Sequence, residues 1–222
     1  MSSNNKVTID AVKAALSPAR MGTYEAAVGV TSDNDLSALK LYAWNADVSG
    51  ALLAPLHVCE VVVRNAVSDV LATLYTPTWP WNRTFELSLP DPQRGYSPRQ
   101  DLLSARRSAR TTGKVIPELK FVFWQKMFTG RYDGRLWTPH IRRVLPNLSG
   151  SMTIAQCRQS IYDDLEQLRR LRNRIAHHEP IFTRNLFDDY QKIHNIVGYR
   201  CIETAAWLDR NQIATRVIAA KP

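Results

Sequence analysis

An all-α fold, arranged as a helical bundle, is predicted by three observations. Apolar residues recur at helical intervals, strict apolar–polar alternation is missing, and turn signals fall at irregular spacings. The clearest segment is 35–75. Its apolar positions Val48, Leu52, Leu56, Cys59, Val63, Val67, Val70 and Leu74 step by four, four, three, four, four, three and four. That is the period of a helix with one buried face. Pro55 lies inside the run. It lacks an N–H and its ring crowds the preceding turn, so a kink or a division into two helices is expected there.

The remaining elements follow from punctuation. Pro77, Pro80, Pro90, Pro92 and Pro98 exclude a long helix over 76–98, which reads as a connecting segment pinned by Trp79, Trp81 and Phe85. Ser97-Pro98 supplies an N-cap and an N1 proline for a short basic helix over 99–110. Pro117 opens a helix through Phe121, Phe123, Trp124 and Phe128, which Gly130 and Gly134 end, and 137–145 reads as one more short helix. Thr153 caps a long helix with the apolar line Ile154, Cys157, Ile161, Leu165, Leu168 and Ile175. Pro180 limits it, because the residue before a proline avoids helical backbone. A last helix is expected over 186–210 with Phe187, Tyr190, Ile193, Val197, Cys201 and Leu208 inward, followed by a tail that frays or packs on a partner. The sum is roughly five to seven helices in a single domain over 1–222.

Composition narrows the class of function. At 45% hydrophobic and 22% charged residues the chain has the make-up of a globular protein with a sizeable core. Its net charge of +9 attracts polyanions such as RNA, DNA or acidic membrane. Cys59, Cys157 and Cys201 are odd in number and widely spaced, with no CxxC pair, which argues against a cysteine zinc site. Each falls on an apolar stripe, as buried free thiols do in a reducing compartment. Residues 1–10 are polar and lack a signal core, and no stretch approaches the apolar length needed to cross a bilayer. The expectation is a cytoplasmic protein without membrane partners, metal or other cofactor.

The segment that carries chemistry is 171–180, Leu-Arg-Asn-Arg-Ile-Ala-His-His-Glu-Pro. On a helical wheel Arg172 falls within about 40° of Leu168, Leu165 and Ile161, which places its guanidinium in the apolar seam. A charge there is costly unless paired. Asn173 and His177 are four apart and share a face turned away from the seam. Imidazole changes charge near neutral pH and suits general acid–base work. Guanidinium stabilises charge on phosphoryl oxygens. Together these groups suit RNA cleavage by internal transesterification, in which one group takes the 2′-OH proton and a second protonates the leaving 5′ oxygen. One His177 does not fill both roles easily. A symmetric dimer supplies two.

With these residues the chain resembles the HEPN superfamily, whose mark is Arg, four to six residues, then His, often with Asn after the Arg. Arg172, Asn173 and His177 fit it. The blocks at 38–67 (ALKLYAWNADVSGALLAPLHVCEVVVRNAV), 118–128 (ELKFVFWQKMF) and 171–182 (LRNRIAHHEPIF) stand in the order of its Abi-like, abortive-infection group. The resemblance runs from about Leu16 to Trp207. It implies a HEPN-like bundle with additional helices and a metal-independent endoribonuclease site where two copies of the motif meet in a homodimer or higher homo-oligomer. It further implies a role in phage defence or as a toxin, and regulation by a partner RNA or antitoxin. A second Arg-Asn pair, Arg64-Asn65, has no His at the matching distance, so each chain carries one complete motif.

Supporting roles are read beside plainer ones. Glu60 and Arg64 are four apart, and either buttress the catalytic helix, with Glu60 bonding Arg172, or form a local ion pair. His178 reads as packing or support for His177, with a second proton carrier or a metal ligand as the alternatives. Arg174 and Glu179 read as solvated surface. Within the basic stretch 94–143, Arg106, Arg107 and Arg110 are the candidate phosphate contacts. The alternative function is a non-catalytic RNA-binding HEPN protein that scaffolds or regulates a partner. A helix-turn-helix DNA binder lacks its short polar recognition helix here.

Overall fold

The computed structural model describes residues 2–30, 32 and 35–222. Among them every regular element is helical, as the sequence predicts, but the helices are shorter and more numerous. They are α1 (Ser2–Leu16), α2 (Pro18–Val28), α3 (Ser37–Tyr75), α4 (Arg83–Ser88), α5 (Pro98–Ala105), α6 (Thr112–Glu118), α7 (Phe121–Lys126), α8 (Thr138–Val144), α9 (Ile154–Ala176), α10 (Leu186–Arg200), α11 (Ile202–Asn211) and α12 (Ala214–Ala219).

Everything is organised around α3. Its buried face carries the expected stripe from Val48 to Val70, packed against α10, α2 and α12 and, to a lesser extent, α7, α8 and α9. The helix runs unbroken through Pro55, which is itself buried, so the expected division does not occur. At the end of the stripe Leu71 is buried and Leu74 is exposed. In length and apolar composition α3 matches a membrane span, contrary to the reading of the sequence, and 39% of its apolar window is buried within the fold.

The connecting segment is more ordered than its prolines suggest. Trp79 and Phe85 are fully buried and meet edge to face at 5.5 Å, whereas Trp81 stays largely outside. Ser97 caps α5 as expected, its hydroxyl accepting the Gln100 N–H at 3.1 Å. The helix then stops at Ala105 rather than continuing to 110. Pro117 lies within α6 instead of opening a helix, and α7 begins at Phe121.

Three departures occur in the C-terminal third. The expected last helix is two, because Cys201 is extended (φ −157°, ψ 117°) and caps α11 through a Thr204 N–H bond to Sγ at 3.4 Å. Cys201 is thus a cap and not a stripe residue. Phe187, expected inside, is 51% exposed. The tail does not fray. It forms α12, which buries Ala214 and Ile218 and takes the Trp44 Nε1–H on the Val217 carbonyl at 2.7 Å.

Candidate functional site

The last turn of α9 holds the motif, and the helix is built to end there. Thr153 and Gln156 form a reciprocal capping box at its start. Cys157, Ile161, Leu165, Leu168, Leu171 and Ile175 form its buried seam. At its far end His177 is the C-cap residue and His178 takes φ 56°, the left-handed region that usually selects glycine. The His178 N–H bonds the Ile175 carbonyl at 3.0 Å and the Glu179 N–H bonds the Arg174 carbonyl at 2.8 Å. This pair of bonds is a Schellman closure.

A frame of long-range contacts fixes the turn. Arg20 of α2 donates to the His178 carbonyl at 2.7 Å. Arg174 donates through Nε and Nη2 to the Pro180 carbonyl at 3.0 and 2.8 Å, and its guanidinium lies 3.7 Å from Glu179. These two residues therefore brace the loop rather than forming passive surface. Buried Asn45 of α3 accepts the Ile181 N–H on Oδ1 at 2.8 Å, satisfying a buried donor. Phe182 packs on Tyr24 at 5.2 Å, and Lys221 donates to the Phe182 carbonyl at 3.0 Å. Arg20, Tyr24, Asn45 and Lys221 escaped the sequence reading because their partners lie far away in the chain.

Arg172 does not occupy the seam. It is exposed, and Leu171 beside it takes the buried slot. The wheel angle was sound, but burial also needs a neighbour. The hydrogen bonds from the α7 region reach α9 only at Arg158, Tyr162 and Glu166. Two turns later Arg172 has no ion pair or side-chain hydrogen bond to any described residue. Nor do half-buried Asn173 and exposed His177 have a side-chain hydrogen bond among the described residues. The motif thus presents a guanidinium, an amide and an imidazole that make no side-chain hydrogen bond or ion pair among the described residues.

The supporting residues are placed differently. Antiparallel packing sets Asn45 beside Ile181, while the Asp164 charge acts on Cys59. Glu60 and Arg64 therefore lie near the Asp164 level, which is about 12 Å along α9 from Arg172. Glu60 binds Arg64 and does not reach Arg172. Asn65 is exposed on the same helix. Burial, ahead of the nearby Glu60 and Asp164 charges, pushes the Cys59 thiol far above its usual range and leaves it a packing group.

The candidate phosphate cluster does not hold together. Arg106 donates to Glu86 at 2.6 Å and to the Pro80 carbonyl at 2.8 Å, so it fastens the connecting segment. Arg107 and Arg110 remain exposed. Beside the motif lies instead a groove of about 270 Å³, lined by Tyr24, Tyr42, Asn45, Ser49, Leu53 and His178, among others. Among the described residues no three His, Cys, Asp or Glu side chains are grouped to hold a metal ion. Compared with family models, curated proteins and solved structures, the chain matches none.

Proposed function

We propose that the protein is a HEPN-type endoribonuclease of the abortive-infection kind, cutting RNA at a site built on Arg172, Asn173 and His177. The observation that carries this reading is the exposure of Arg172 and His177, without a side-chain hydrogen bond or ion pair among the described residues, on a turn held by Arg20, Asn45 and Arg174. Catalytic side chains on a fixed backbone need little reorganisation when substrate arrives. In the reaction proposed, the imidazole exchanges protons at the 2′-OH or the 5′ oxygen. Arg172 holds the non-bridging phosphoryl oxygens, and Asn173 orients the strand.

A second imidazole comes from a second copy of the chain. Leu53, His57 and Val61 form an exposed stripe on α3, and Leu53 also lines the groove beside His178. The two apolar residues of that stripe are 47% and 39% exposed, which suits a homodimer contact next to the motif.

Cleavage of mixed-sequence RNA by the Arg172→Ala protein tests the assignment. Removing a charge-stabilising donor is expected to lower the rate by about 10²–10³-fold. Because the Arg172 side chain is exposed and makes no hydrogen bond or ion pair among the described residues, the melting temperature should not move. A rate within about two-fold of wild type would remove Arg172 from the site.

A further inference from the structure

A cavity of about 470 Å³ lies between the connecting segment and the end of α7, apart from the motif. Its volume falls in the range of small-molecule sites. Pro90, Pro98, Tyr96 and Tyr132 give it flat apolar walls, and Lys126 and Arg131 add two cations. No carboxylate lines it. Lys126 donates to the Tyr162 hydroxyl at 3.0 Å and sits over that ring, while Arg131 lies over the Tyr132 ring at 5.6 Å. Neither has a carboxylate partner among the described residues. Tyr132 is 1% exposed, and its hydroxyl is buried without a hydrogen-bond partner.

Flat aromatic and proline walls suit a planar ring, because every base offers a π face to stack on. Two uncompensated cations suit an anion carried by the same molecule. We propose that this cavity binds one nucleoside monophosphate unit, with its base against Tyr96, Pro90 and Pro98 and its phosphate between Lys126 and Arg131. The unit is either a free nucleotide or one residue of an RNA single strand. Tyr162, which Lys126 contacts, is about 15 Å along α9 from Arg172, so this cavity is separate from the motif.

The full chain, its Arg131→Glu variant and its Lys126→Ala variant are titrated with AMP, with inorganic phosphate and with a 2′-O-methylated RNA of about ten nucleotides. Arg210→Ala, an exposed change on α11 outside the cavity, is the control. Expected is binding that weakens by about ten-fold or more in Arg131→Glu and Lys126→Ala but not in the control. Saturable AMP binding identifies a free-nucleotide site. Loss of strand binding alone, with AMP inert, identifies a strand subsite. The proposal is overturned if both cavity variants bind as wild type does, if wild type binds neither probe, or if phosphate displaces the ligand as well as AMP does. Arg131 is exposed, so Arg131→Glu should fold normally, and an unchanged melting temperature checks this.

Discussion

The two ends of α9 treat their charged side chains in opposite ways. Towards the start, Arg158 is buried on the Asp133 carboxylate at 2.8 Å and also reaches the Phe128 carbonyl. Mid-helix, Glu166 takes Arg169, Arg170 and Gln125. At the far end Arg172 and His177 have no such partners among the described residues, while the backbone around them is closed by a Schellman turn and held from α2 and α3. The lesson is that in one helix, charge serves the fold where it is satisfied and is free for a ligand where only the backbone is. Elsewhere Arg99, Arg142 and Arg184 follow the first pattern, donating to backbone carbonyls.

Breaking the satisfied end should have the largest effect. Arg158→Ala leaves Asp133 without its cation and is expected to cost about 3 kcal/mol or more in denaturant unfolding. Arg172→Ala, measured alongside, should stay within about 0.5 kcal/mol of wild type. Equal losses from the two would dissolve the distinction.

A smaller effect sharpens the unsatisfied end. His178 pays for its left-handed backbone, so His178→Gly should raise stability by roughly 0.5–1 kcal/mol and leave RNA cleavage unchanged. A loss of cleavage at equal or higher stability would show that the imidazole acts in the chemistry and not only in the turn.

The last effect appears only in acid. Hydrogen bonds led by that from Arg169, with Arg170 and Gln125 adding theirs, hold the Glu166 carboxyl down from its usual 4.5 to about 2. A carboxylate depressed in the fold contributes stability above its unfolded pKa and loses it as pH falls through the folded value. Glu166→Gln should therefore flatten the stability profile between about pH 4.5 and 2, as followed by urea unfolding. An unaltered slope would mean that the three donors hold nothing.

Much of this architecture is legible in the sequence because local chemistry dictates it. The stripe from Val48 to Val70, the caps at Ser97 and Thr153 and the stop before Pro180 each depend on residues within a turn or two. What escapes the sequence depends on distant neighbours. Arg172 has a seam angle but no covering helix, and Arg106 reads as a phosphate contact until Glu86 is seen beside it. Asn45 and Arg20 carry no motif at all, and folding alone brings them to residues 178–181. The motif's spacing is local to one helix end, whereas its exposure and bracing depend on the fold.

If the free end of α9 cuts RNA, as proposed, His177 is the side chain whose loss should abolish cleavage. Mixed-sequence RNA is incubated in EDTA with wild type and with His177→Ala, and the product ends are identified. Wild type should cleave and leave 2′,3′-cyclic phosphates, with a loss of about 10²–10⁴-fold in the variant, the usual contribution of a general acid or base. Cleavage undiminished in His177→Ala, or wild-type protein that leaves the RNA intact, would contradict the proposal.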